Sequence, residues 1–274
     1  MRQIIINTDV GQGLGHPLQR NLKTDNISYM KRYFLFAAFL FAASLLFLPS
    51  CKKDETSAPP SNPDITLHLA YAVDNNILST DTLKYTNAAG NLFGVWHLEY
   101  YLSGFAFMDD KGVWWKTGSE YYVNVKTPKT NTIGLTDLPV GKYSKLKFFI
   151  GLPAERNLTD ALPATAENLN MAWPDIMGGG YHFLKLEGYF KDSIGKTQGF
   201  AMHVGNSKNL ITVEIPIMLN HGGNSVMNLQ MNINEWFVHP YTYNFNVQGN
   251  YTMGVDSLMN QLKQNGSDVF KVIP

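Results

Sequence analysis

Downstream of its only cysteine, Cys51, the chain carries six histidines, His68, His97, His182, His203, His221 and His239, and nine methionines. Imidazole and thioether donors suit copper, above all in an oxidising compartment where thiolates are scarce. Two of the histidines lie in strand-like stretches. In "ITLHLAYAV", Ile65, Leu67, Leu69, Tyr71 and Val73 share one face, and His68 shares the other with Thr66, Ala70 and Ala72. In "GFAMHVG", His203 is flanked on its own face by Ala201 and Gly205, which leaves its ring room. The ordinary alternative for any one histidine is a surface or hydrogen-bonded place. Methionines in a period-two apolar pattern, as in Met227 to Met231, read as core rather than ligand.

Other chemistries find little material. There is no G-x-S-x-G elbow, no H-E-x-x-H and no paired-cysteine zinc spacing. Glu187, in "LKLEGY", is the most conspicuous acid, and a structural hydrogen bond to a lysine or tyrosine is its expected use. Two carboxylates distant in sequence can meet in space, so a glycosidase pair stays open, but nothing points to one. No enzyme is expected.

The elements that must position these residues read as strands. "ITLHLAYAV" alternates over its whole length. "GVWHLEYYLSGFAFMDDKGVWW" holds one long strand, a turn at Asp109–Gly112 and the start of another. "EYYVNVKT" and "KLKFFIGL" follow, the latter with Leu146, Phe148 and Ile150 on one face and Lys145 and Lys147 on the other. "GYHFLKLEGYF", "GFAMHVG", "LITVEIPIM" and "NSVMNLQMNINEWF" complete the set. Only "VDSLMNQLKQNG" looks helical, with Asp256 as N-cap, Leu258, Met259 and Leu262 on one face and Asn265-Gly266 as the stop. Many short strands with regular turns predict an all-β fold, an antiparallel β-sandwich of immunoglobulin-like or jelly-roll-like type with a short C-terminal helix. The absence of βαβ units argues against a dinucleotide fold.

One stretch, "NMAWPDIMGGGYHFLKLEGYF", places Trp173-Pro174 ahead of three glycines and a strand. It predicts a stiff aromatic corner that covers one end of the sandwich near His203.

The chain start belongs to export rather than to the fold. Lys31 and Arg32 precede an apolar run from Phe34 to Leu48, short for a membrane span but suited to a signal-peptide core. Leu48-Pro49-Ser50-Cys51 resembles a bacterial lipobox, so Cys51 is expected to be lipidated and to anchor the protein to a membrane. Residues 1–29 read as an early-called extension before a signal peptide at 30–50. Residues 51–63 form a polar, proline-rich linker, and 64–274 form the domain. Lys53-Asp54-Glu55 resembles the charged export tags of surface lipoproteins in Bacteroidetes. The expected location is the outer membrane, facing the periplasm or the cell exterior. Asp81-Thr82-Leu83, Asp192-Ser193-Ile194 and Asp256-Ser257-Leu258 resemble short O-glycosylation acceptor patterns of the same group. The whole chain is formally neutral, and removing residues 1–50 leaves a net charge near −3. No electrostatic footprint for nucleic acid is present.

The ordered set "ITLHLAY", "EYYLSGFAF", "LPVGKYSKLKFFIGL", "NMAWPDIMGGGYHFLKLEGYF", "GFAMHVG", "INEWF" and "NGSDVF" resembles the MbnP-like copper-binding domain family, over roughly Asp64 to Phe270. That resemblance implies a β-rich fold that binds copper outside the cytoplasm. It makes His203 the first expected metal ligand and His68 the second. It matches Trp173 to the first tryptophan of a two-tryptophan block; in some relatives a tryptophan oxidised to kynurenine takes part in the copper site. Here the second tryptophan is replaced by a longer glycine-rich loop. His182 and Met171 are further candidate ligands. The resulting expectation is a lipid-anchored protein for copper acquisition, storage or handling. The alternative is a cell-surface module for glycan or protein without a metal, with Trp114, Trp115 and Trp236 as stacking surfaces. Protein partners are not legible.

Overall fold

The computed structural model describes residues 64–274. The expected signal peptide, Cys51 and the linker lie outside the described residues. Within them the strands, in chain order, are β1 (Ile65–Val73), β2 (Asn76–Ile77), β3 (Tyr85–Thr86), β4 (Leu92–Asp109), β5 (Trp114–Lys116), β6 (Tyr121–Asn124), β7 (Thr132–Leu135), β8 (Gly141–Ile150), β9 (His182–Lys191), β10 (Thr197–Gly205), β11 (Ile211–His221), β12 (Ser225–Asn232) and β13 (Phe270–Ile273). Two short helices accompany them, α1 (Ala166–Asn170) and α2 (Asp256–Asn265).

Period-two alternation gives the strands one buried face each, and they pair into two sheets around one core. In β1, Ile65, Leu67 and Leu69 are buried while His68 is exposed. The first sheet runs β13-β12-β1-β2, with β7 also on β1. The second runs β10-β9-β4-β8-β11, and β3, β5 and β6 add to β4. All pairings are antiparallel except β1 with β12, which are parallel from Ile65 opposite Ser225 to Ala72 opposite Asn232. The all-β sandwich is therefore present, with one parallel seam in the first sheet.

Contacts between the layers are aromatic. Phe270 of β13 packs edge-on against Phe148 of β8, ring centres 5.3 Å apart, and beside Tyr100 of β4. The buried hydroxyls of Tyr71 and Tyr100 share a hydrogen bond of 2.9 Å across the core, so the tyrosines fill space without leaving a polar atom orphaned.

The C-terminal helix forms over the expected residues, but its ends are built differently. Asp256 is its first residue rather than its cap, and its carboxylate pairs with Lys208. Gly266 follows the helix in an ordinary right-handed conformation. A Cβ there would stand 2.6 Å from the buried ring of Trp236. Close packing, not a left-handed cap, requires that glycine. Asn265, fully buried, donates to the carbonyls of Trp236 and Tyr241.

Strand β10 ends the second sheet, and an uncovered edge is a liability. Residues 250–252 cover it. Ala201 N–H donates to the Asn250 carbonyl, and Thr252 N–H donates to the Ala201 carbonyl. The Thr252 hydroxyl then accepts from His203 N–H at 2.8 Å and donates to the His203 carbonyl at 2.7 Å. Thr252 has no exposed surface. Replacing it with valine keeps the shape and strips both bonds, so Thr252→Val should cost about 1–3 kcal/mol in urea denaturation. An unchanged midpoint would mean that the clamp is idle.

Candidate metal centre

The tryptophan corner forms as the sequence suggests. Trp173 N–H donates to the Gly180 carbonyl, Ala172 bridges to Tyr181, and a 3-10 turn, Asp175–Met177, closes the loop. Gly178, Gly179 and Gly180 all have positive φ, which residues with a Cβ rarely adopt. The indole N–H donates to the Met177 carbonyl at 3.2 Å. The ring lies against β10 at Gly205, where a Cβ would stand 2.4 Å from the indole.

That corner sets His182 between the indole and His203. The ring centres of Trp173 and His182 are 4.7 Å apart, and those of His182 and His203 are 5.0 Å apart at 86°. Both histidines belong to the β9–β10 hairpin, where a register shift at Val204/Gly205 brings Gly205 opposite His182. His182 is buried, 5% exposed, and its Nδ1 lies 3.1 Å from the Met171 carbonyl. A carbonyl only accepts, so Nδ1 carries the proton and Nε2 keeps its lone pair. His203 Nε2 lies 2.7 Å from Glu187 Oε1.

Around this pair the outer face of β4 and β9 carries a polar network. Glu99 is buried and accepts from Tyr122 Oη at 2.6 Å, Asn124 Nδ2 at 2.8 Å and Asn170 Nδ2 at 2.7 Å, with His97 Nε2 at 3.0 Å. Burial works to raise the Glu99 carboxyl, but the bonds from His97 and Tyr122, with the nearby Lys185 charge, win and hold it below its ordinary value. Lys185 Nζ donates to the Asn170 carbonyl at 2.6 Å. Asn170 is thereby tied down immediately before Met171, whose carbonyl orients His182.

The candidate residues therefore part company. His203, His182 and Trp173 come together. Met171 is adjacent, but its side chain belongs to the hydrophobic core and only its carbonyl serves the site. The expectation that His68 joins His203 fails: His68 projects from the outer face of the first sheet and bonds Thr132 Oγ1. His203 lies on the outer face of the second, with the core between them. Glu187 does have a structural hydrogen bond, but to a histidine rather than to a lysine or tyrosine. Trp236 is fully buried and offers no stacking surface, while Trp115 Nε1 donates to Asp109 and Lys147 stands over Trp114. Among the described residues no three side chains drawn from His, Cys, Asp and Glu are grouped to hold a metal ion. A cavity of about 580 Å³ borders the Trp173 side of the corner, with Leu162, Asp175 and Tyr181 among its walls.

The centre-to-centre separation of the two imidazoles, 5.0 Å, matches the spacing of two rings on one ion. A ring nitrogen binds a first-row metal at about 2.0 Å, which puts the ring centre about 3.2 Å from the ion; two such rings at a tetrahedral angle have centres about 5 Å apart.

A family model described as MbnP matches residues 62–254. Among solved structures, MbnP from Methylosinus trichosporium is similar at 15% identity and a TM-score of 0.41, over 63% of this chain and 76% of that one. Comparison with curated proteins gives no match.

Burial first, and then the nearby charges of His203 and Lys185, push His182 down from 6.5 to about 4. The unfolded chain takes up this proton near pH 6.5, the folded one only near pH 4. The stability tied to neutral His182 is thus full above pH 6.5 and is lost as pH falls to 4, by about 3 kcal/mol. Chemical denaturation at pH 7 and pH 4 should show that loss in the apo protein. His182→Gln should reduce it by a similar amount, and an equal loss in both proteins would refute the assignment.

Proposed function

Since the chain belongs to the MbnP family, we propose that it is a non-catalytic copper-binding protein for acquisition, storage or handling of the metal, held outside the cytoplasm by a lipid on Cys51. The observation that carries this reading is the pair of imidazoles 5.0 Å apart, edge to face. Two histidinium rings would repel at that distance, and burial holds His182 neutral, which is the form that binds metal.

His182 and His203 would hold the ion. Copper supplies affinity for imidazole nitrogen beyond that of neighbouring divalent metals. The protein's own contributions are positioning and exclusion of water. Thr252 fixes the backbone of His203, the Met171 carbonyl fixes the ring of His182, and the Trp173 indole closes the buried side. The indole stands where an oxidised derivative would be adjacent to His182. Intact-mass analysis reads that modification directly, as the gain of one oxygen and the loss of one carbon.

The Cys51 anchor rests on the lipobox-like Leu48–Cys51 and the apolar run before it. An outer-membrane location facing the periplasm or the exterior follows from the same segment.

Protein purified without metal and incubated with copper should retain about one equivalent through desalting. His203→Ala and His182→Ala should each lose most of that copper, while His68→Ala should keep it. Full retention in both site variants would overturn the reading.

A further inference from the structure

Among the described residues, Glu187 is the one carboxylate that touches the imidazole pair directly. Its Oε1 lies 2.7 Å from His203 Nε2. Both side chains are largely buried, 24% and 14% exposed. A carboxylate anion only accepts hydrogen bonds, so the bond requires the proton on Nε2. Facing Glu187 are the imidazoles of His203 on β10 and His97 opposite it on β4, and the ammonium of Lys185 on its own strand.

We infer that Glu187 is a positioning residue that locks His203 in its Nε2–H tautomer, so that the two histidines present unlike nitrogens to an ion, Nδ1 from His203 and Nε2 from His182. The geometry on the other ring is complementary: the Met171 carbonyl holds the proton on His182 Nδ1. One imidazole is thus oriented by a formal negative charge and the other by a neutral carbonyl. A charged partner raises the basicity of a ligand ring more than a neutral one does. His203 is therefore the stronger donor of the two, and Glu187 brings the negative charge that a bound cation needs nearby. This inference rests on the copper reading only for its second half, because the tautomer exists in the metal-free protein.

The test uses the full domain with ¹⁵N-labelled histidine. In the metal-free wild type, long-range ¹H–¹⁵N correlation should show His203 as the Nε2–H form. Glu187→Ala should shift it toward a mixture, and Glu187→Gln, which keeps an acceptor of the same shape, should preserve most of it. Copper(II) affinity should fall about 10- to 100-fold in Glu187→Ala and much less in Glu187→Gln. The copper electron paramagnetic resonance spectrum should change in the alanine variant alone. A wild-type His203 protonated on Nδ1, or an alanine variant with unaltered tautomer and affinity, would overturn the inference while copper binding stood. A wild type with the Nε2–H form that depends on Glu187 but binds no copper would bear out the positioning and refute the copper reading instead.

Discussion

The approach of Trp173 to Gly205 is the constraint on which the site depends. No side chain other than hydrogen leaves room there for the indole edge. With the indole seated, the turn of three positive-φ glycines returns the chain directly into β9. His182 then has one place to go, between the indole and His203. The aromatic contacts that result are weak one by one. Their value is that a rigid corner and a clamped edge strand leave the two rings little freedom, which is the entropy that ligand binding would otherwise have to remove.

A second layer of polar residues supports this arrangement from the outer face of the sheet. Glu99 is fully engaged by four partners on three separate segments. Such a carboxylate would be costly if any partner left, since a buried charge short of hydrogen bonds is heavily penalised. Through Asn170 it ties the end of α1 to the sheet just where the chain enters the corner. Glu187, by contrast, is engaged by the site itself. The two acids of one face thus divide the task, one fixing the scaffold and one fixing a ligand.

Most of the scaffold was legible in the sequence because burial on one face writes itself as period two. The alternation in Ile65–Val73 gives β1 residue for residue, and Asp109–Gly112 gives the turn between β4 and β5. The corner at Trp173 was legible from its glycines. What alternation cannot encode is which sheet a strand joins. His68 and His203 look equivalent as residues on the less apolar face of a strand, and only the pairing of β1 with β12 and of β10 with β9 sends them to opposite flanks. His182 was harder to rank above His68, because its burial comes from the corner and not from its own strand. The role of Gly266 was hidden for a related reason: the ring it makes room for lies thirty residues earlier in the chain.

The parallel seam between β1 and β12 has a consequence for how the protein is made. β1 sits inside its sheet, with β12 on one side and β7 and β2 on the other. Its long neighbour is among the last strands to leave the ribosome. A layer whose interior strand waits for a partner so distant in sequence closes late, since long-range pairing must overcome loop entropy before any contact repays it. Until then one edge of the first strand lacks its ladder partner. Folding after the whole polypeptide is released, with chaperones holding the early half, is the regime that this topology favours.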